Sequence, residues 1–362
     1  MSLSGNLTEV FDEETAGSLL SWFRENGVAY PWAESPDPWG IWVSEVMLQQ
    51  TTVGAVEPRY RRWMDRFPTP EALAAAGEQE VLREWEGLGY YNRARNLASA
   101  ASEIQSSYAG RIPEEAEELR RLPGVGEYIA AAVSSFAFGK RRAAIDANGR
   151  RIAQRLMARE LWDKELERLF REAVEARMPS ENPGEMNAAL MQLGQLVCTP
   201  GKPLCGECPL AGICRARAED IQESIPLRRR QEVIRKKTNL ALCMDRGRVL
   251  VRKKSEGIGK GLWVFPSESE IENLAGYWEP AGSLPRRIHS YTRYREELLP
   301  RIFRAKKENG ESAAGCLKEG KFVTPGELQR LPMPTAYRRI AKNLPEFNKN
   351  TKSLLSLESR DS

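Results

Sequence analysis

LPGVGEYIAAA, residues 122–132, places two glycines two apart immediately before an apolar, alanine-rich run. A glycine turn that ends on a helix start leaves backbone N–H groups facing outward, an arrangement suited to an anion. Pro113-Glu114-Glu115 ahead of it opens a charged helix, so the stretch predicts helix, tight hairpin, then buried helix. Taken alone, a G-x-G turn is more often plain helix punctuation. Followed by IDAN at 145–148, it reads better as a phosphate clamp made by Gly124 and Gly126.

The chain has 362 residues, 29% charged and 41% hydrophobic, which is room for two or three domains and a sizeable core. Residues 1–30 carry Asp and Glu throughout, and no later run approaches a membrane span. A cytoplasmic protein with no membrane partner is the expectation. The formal net charge of +4 hints at an anionic partner. There is a single histidine, His289; Ser–His–Asp triads, zincin helices and histidine-rich metal centres would need histidines placed elsewhere. Acid–base chemistry then falls to carboxylates or tyrosine.

Residues 1–220 read as almost entirely helical, with start signals at Asp12/Thr15 and Thr69-Pro70 and interruptions at Gly27, Gly87 and Gly139. LRRRQEVIRKK (227–237) is strongly basic and makes 221–237 a linker suited to lie along an anion. NLALCMDRGRVLVRKK switches to period two around Asp245-Arg246-Gly247, a hairpin signal. Residues 238–346 predict a smaller mixed α/β domain, and 347–362 a polar, disordered tail.

Cys198, Cys205, Cys208 and Cys214 follow C-x6-C-x2-C-x5-C in CTPGKPLCGECPLAGIC. Four thiolates this close can hold a tetrahedral zinc or a [4Fe–4S] cluster. Zinc sites more often pair two C-x2-C knuckles and only one occurs here, so the cluster is the stronger expectation and zinc the alternative. No open coordination position is supplied, which points to a structural role. Lys202 lies in the intervening loop, within reach of a phosphate. Cys243 and Cys316 read as ordinary packed thiols.

LPGVG with its following helix, the cysteine spacing and IDAN together resemble the endonuclease III superfamily of DNA glycosylases. WVSEVMLQQTT (42–52) and GLGYYNRARNL (87–97) resemble the MutY-type adenine DNA glycosylases within it, over residues 16–216 and more weakly beyond. The resemblance implies a mainly α, two-lobed helix-hairpin-helix glycosylase fold. Its helix-hairpin-helix lobe would span 30–140, and its iron–sulfur lobe 1–29 with 141–220. It also implies a Nudix-like C-terminal domain, carried by GIGKGLWVFPS (257–267), though no acidic Nudix signature is present. The implied cofactor is a [4Fe–4S] cluster on the four cysteines. The implied partner is double-stranded DNA with adenine opposite 8-oxo-guanine or guanine, bound by a monomer that removes adenine by hydrolysing its N-glycosidic bond.

Individual residues carry two readings each. On a helix Glu45 shares a face with Ile41, Trp42 and Leu48, so its carboxyl loses hydration and can hold a proton near neutral pH. The alternative is a solvated glutamate at the helix rim; the resemblance makes it the general acid. Asp146 reads as a helix N-cap, and by resemblance as the carboxylate that stabilises an oxocarbenium-like sugar, with Asn148 orienting it. Tyr128 stands where lyase members of the superfamily have a lysine, and a phenol forms no imine. It is expected to hydrogen-bond near Asp146. By resemblance, Trp32 and Leu48 line the base pocket, while Gln49, Gln50 and Thr51 insert beside the flipped base. Tyr90, with Tyr91, Arg93 and Arg95, suits a wedge that unstacks DNA and holds its backbone; core tyrosines and solvated arginines are the alternative. The resemblance places Tyr291, Thr292 and Arg293 on the loop that reads the 8-oxo-guanine, with Arg293 where the family has histidine.

Departures from the family pattern cluster at substrate contacts: Val28 and Ala33 replace arginines, Ala188 replaces Gln or Glu, and Gly149 replaces Val. Losing polar partners relaxes base selection. Two rival functions follow: a mismatch glycosylase of altered specificity, for thymine or relaxed, and a catalytically weak lesion-binding protein. Intact Glu45 and Asp146 disfavour the second.

Overall fold

The computed structural model describes residues 11–34, 37–227, 232–306, 317 and 319–344. The expected tail, Cys316 and residues 228–231 of the expected linker lie outside them. Among the described residues, no helix is long and apolar enough to cross a membrane.

The helical part runs α1 (Glu13–Asn26), α2 (Pro38–Leu48), α3 (Val53–Arg66), α4 (Pro70–Ala74), α5 (Glu78–Glu84) and α6 (Asn92–Ser107). It continues with α7 (Ala116–Leu119), α8 (Glu127–Phe138), α9 (Ala147–Leu156), α10 (Lys164–Ala176), α11 (Gly184–Leu196) and α12 (Arg215–Ala218). Caps read from the sequence set several boundaries. Asp12 accepts from Thr15 N at 2.9 Å, Thr69 from Ala72 N at 3.2 Å, and Gly139 ends α8 at φ 65°. Beyond them lie β1 (Ile234–Asp245), β2 (Arg248–Lys253), β3 (Trp263–Val264), α13 (Glu268–Ile271) and β4 (Trp278–Ser283). β5 (Arg287–Tyr291), β6 (Tyr294–Ala305), β7 (Gly320–Val323), α14 (Pro325–Arg330) and α15 (Thr335–Lys342) follow among the described residues.

Two compact units result. One takes the described residues up to 76 and from 92 to 227, the other 77–91 and the described residues from 232 onward. In the first, α1, α9, α10 and α11 enclose a core that includes Leu19, Ile152, Phe170, Val174 and Leu193. Every residue of α2 from Trp39 to Met47 is buried, as its nearly continuous apolar sequence requires. α9 and α11 approach so closely that a Cβ at Gly194 would lie 2.4 Å from Cβ of Asn148. Only glycine fits there.

In the second unit the sheet order is β3-β2-β1-β6-β4, with β5 added to β6 and β7 to β2. The β1–β2 hairpin pairs Asp245 with Arg248 across Arg246 and Gly247, both at positive φ (47° and 73°), the geometry a two-residue hairpin turn favours. β1 also runs parallel to β6, from Ile234↔Tyr294 to Met244↔Arg304. That distant partner extends the strand into the stretch read as linker. Alternation then sorts the core: Leu240, Leu242, Val249 and Val251 face α14 and α15, while Ala241, Cys243 and Leu250 face Trp278.

Residues 77–91, expected within the helix-hairpin-helix lobe, pack with the residues of the second unit. Gln79 is the reason at one end. It accepts from Trp263 Nε1 at 2.8 Å and donates to the Gly261 carbonyl at 3.1 Å. At the other end Glu86 grips Arg338 through both oxygens, at 2.7 and 2.9 Å. A helical pattern shows that a face is buried, and says nothing of which core receives it.

Candidate active site

Within the first unit an open cleft of about 1530 Å³ is lined by Trp32, Glu45, Leu48, Tyr128, Asp146 and Asn148, together with Gln49, Gln50 and Thr51. These come from separate helices. α2 supplies Glu45 from its buried face, the first turn of α8 supplies Tyr128, and the start of α9 supplies Asp146 and Asn148.

Glu45 is 4% exposed. Burial pushes its carboxyl up to about 7; the Tyr128 hydrogen bond opposes that rise, and the charge of Asp146 adds to it. The Tyr128 hydroxyl donates to Glu45 Oε2 at 2.6 Å. Burial, followed by the charges of Glu45 and Asp146, holds that phenol well above its ordinary range, so it remains a neutral donor. The expected partner of Tyr128 was the region of Asp146. The carboxyl it meets is Glu45, because α8 packs directly on α2.

Asp146 sits in a different environment. Its Oδ1 accepts from Gly149 N at 2.8 Å and its Oδ2 from Asn148 Nδ2 at 2.7 Å. Burial raises its pKa on balance; the Gly149 and Asn148 donors and the Arg151 charge oppose that rise and favour the anion. The positive end of α9 adds to the anion's stability. Two carboxyls share one cleft: one poised to carry a proton, the other surrounded by donors. That is the division acid-plus-cation chemistry needs.

Several residues here escaped the sequence reading. Arg151 Nη2 donates to Asn148 Oδ1 at 2.7 Å and to the Gly194 carbonyl at 2.8 Å, while its Nε donates to the Cys198 carbonyl at 2.7 Å. The available signal was its place three residues after Asn148, on the same helix face. Gln192 is spent on the backbone of Val28, accepting from its N–H at 2.7 Å and donating to its carbonyl at 2.9 Å. Arg93 was read as a DNA-backbone holder. Its Nη1 instead donates to the carbonyls of Val46 and Met47 at 2.5 and 2.9 Å, closing the last turn of α2.

Gly124 adopts φ 76°, and a Cβ there would lie 2.5 Å from Cβ of Asn96, so the turn demands glycine. Gly126 caps α8 without a side chain, and Lys202 is exposed. None of these three lines the cleft. Val28, Ala33 and Ala188 do. In the second unit, Thr292 (φ 48°) and Arg293 form the tip of the β5–β6 hairpin. Tyr291 at its base donates to Glu296 at 2.9 Å and packs against His289 at 4.9 Å.

The four cysteines ring a separate cavity, completed by Arg155, Val197 and Pro203 among others. Four thiols around one cavity are a donor set that fits a [4Fe–4S] core. Arg155 reinforces one of them, with Nη1 at 3.2 Å from Cys198 Sγ. Cys198, Cys205, Cys208 and Cys214 would thus hold a [4Fe–4S] cluster, which ties the chain after α11 to α9. Anaerobically purified protein is expected to be brown, with about four irons per chain. Stoichiometric zinc without iron would reject that assignment.

Residues 43–176 match the family model of the HhH-GPD superfamily base excision DNA repair protein, and residues 198–214 that of the iron–sulfur binding domain of endonuclease III. The adenine DNA glycosylase of Mycolicibacterium smegmatis is 40% identical over 215 residues, covering 59% of this chain and 73% of that relative. The adenine DNA glycosylase of Homo sapiens is 38% identical over 229 residues; the match takes 58% of this chain and spans 40% of the human protein's length. Among solved structures, a thermostable thymine-DNA glycosylase is similar at TM-score 0.54 and 28% identity, over 59% of this chain and 97% of that one.

Proposed function

The chain belongs to the adenine DNA glycosylase family, and from that premise we propose that it excises adenine mispaired with 8-oxo-guanine or guanine in double-stranded DNA, acting as a monomer. The observation that carries the reading is the pairing of a buried, protonatable Glu45 with a donor-surrounded Asp146 in one cleft.

The chemistry follows from those environments. Protonated Glu45 gives its proton to a ring nitrogen of the flipped adenine, so the base departs neutral as the N-glycosidic bond breaks. The bonding electrons leave with the base, and positive charge develops on the sugar. Asp146 faces that charge as an anion, held in place by Gly149 and Asn148, with Arg151 fixing Asn148. Water then adds to the anomeric carbon and loses a proton, leaving an abasic site. Tyr128 engages one oxygen of Glu45, which leaves the other for the base.

Trp32 and Leu48 form the walls of the base pocket. Gln49, Gln50, Thr51 and the wedge Tyr90 engage the opened duplex, and Gly124, Gly126 and Lys202 hold phosphates. Tyr291, Thr292 and Arg293, at the β5–β6 turn of a Nudix-like unit, read the opposite lesion.

A second reading, relaxed base choice, draws on one observation. Val28, Ala33 and Ala188 give the cleft no polar side chain, and Gln192 is spent on the backbone. Polar readout is what rejects a wrong base most strongly. Single-turnover excision on duplexes carrying A, T, U or G opposite 8-oxo-guanine and guanine separates the readings. Adenine opposite 8-oxo-guanine is expected to be released fastest. Thymine or uracil released at the rate of adenine would overturn the adenine assignment in favour of the relaxed one.

A further inference from the structure

The second unit contains a turn whose shape is held from both sides. Residues 87–91, GLGYY, follow α5, and Gly87, Gly89 and Tyr90 all have positive φ (95°, 70° and 45°). For a tyrosine that backbone is strained, and strain of this kind persists only where the surroundings over-determine it. Tyr90 is 44% exposed. The neighbours do the holding. Trp85, fully buried, donates its indole N–H to the Gly89 carbonyl at 3.0 Å. Tyr91 donates its hydroxyl to the Met333 carbonyl at 3.3 Å. Glu86 receives both prongs of Arg338 and also accepts from Met333 N at 3.4 Å.

Arg338 is the hub of this arrangement. It stands on α15, its side chain 14% exposed against 20% for Glu86. Its Nη1 donates to the Leu328 carbonyl at 2.7 Å and its Nη2 to the Leu331 carbonyl, so it also closes the end of α14. A planar guanidinium with so many fixed acceptors has one orientation, and it transmits that orientation to Glu86. We propose that Arg338 is a positioning residue for Tyr90: through Glu86 it sets the 87–91 turn, so the C-terminal unit acts on DNA through this turn as well as through its own hairpin. This rests on the reading of Tyr90 as a wedge.

The test uses the full-length holoenzyme on a duplex with 2-aminopurine beside an adenine·8-oxo-guanine mispair, which brightens when its neighbour unstacks. Tyr90→Ala is expected to remove the brightening. Arg338→Met and Glu86→Gln should each at least halve it and slow single-turnover excision about tenfold. Glu86→Gln leaves the Arg338 bonds to α14 in place, so its effect does not come from a melted helix. In the Tyr90→Ala background neither variant should slow excision further, because groups acting through one another are not additive. Brightening unchanged in Glu86→Gln, or the same tenfold loss without Tyr90, would overturn the inference while the wedge reading stands. If Tyr90→Ala itself changes nothing, the wedge reading falls and the inference with it.

Discussion

Glu45→Gln is expected to lower adenine excision about 10³-fold, to leave mispair binding intact, and to stabilise the protein above pH 7. All three effects share one cause. An uncharged amide accepts the Tyr128 hydrogen bond as Glu45 does, but has no proton to give. In the wild type the Glu45 carboxyl is raised from 4.5 to about 7 by burial. A raised folded-state pKa means that the folded chain binds this proton more tightly than the unfolded chain. The corresponding stability is fully present below pH 4.5 and is lost as pH rises through 7. The lost term is roughly 3 kcal/mol, one pKa unit being about 1.4 kcal/mol. Denaturant melts should therefore find the variant more stable than wild type by roughly 3 kcal/mol at pH 8 and by under about 1 kcal/mol at pH 5. Wild-type excision should fall about tenfold per pH unit above 7, following the protonated fraction. Excision by the variant within about tenfold of wild type, or a stability difference independent of pH, would remove Glu45 from the role of acid.

Tyr128→Lys is expected to change what the enzyme leaves behind. Wild type has a phenol against Glu45 at 2.6 Å and should give little covalent complex with borohydride, because no imine forms. A lysine there can attack the sugar carbon of an abasic site, lose water to form the imine, and permit strand cleavage. Trapping and nicking on a preformed abasic duplex should both appear. The substitution also carries a cost that the geometry makes specific. An ammonium beside Glu45 favours its ionised form, so the carboxyl that burial holds near 7 should drop. Adenine excision should slow as strand cleavage is gained, and the loss should be greatest near neutral pH. Efficient trapping by the wild type, or none by the variant on abasic DNA, would overturn the role given to Tyr128.

The parts of this molecule legible in one dimension are those whose cause lies within a few residues. Asp12, Thr69 and Asp146 cap helices because their side chains reach the N–H three residues on. The β1–β2 hairpin closes where Arg246-Gly247 accepts positive φ, and the cysteine run declares a metal centre by spacing, with a cluster favoured over zinc. The apolar face of Glu45 pointed to a raised pKa, although its place as general acid came from resemblance.

What the tertiary structure decided involves partners far apart in the chain. Tyr128 bonds Glu45 because α8 lies on α2; Arg93 closes α2; Gln192 holds Val28; Arg151 ties Asn148 to the cysteine loop. Residues 77–91 join the C-terminal unit through Gln79 and Glu86. A charged side chain carries the same pattern whether it faces water, DNA or a carbonyl across the core. Local propensity acts over a turn or two, whereas the desolvation that makes a buried charge find a partner acts only after packing. The choice of partner is therefore made by the fold.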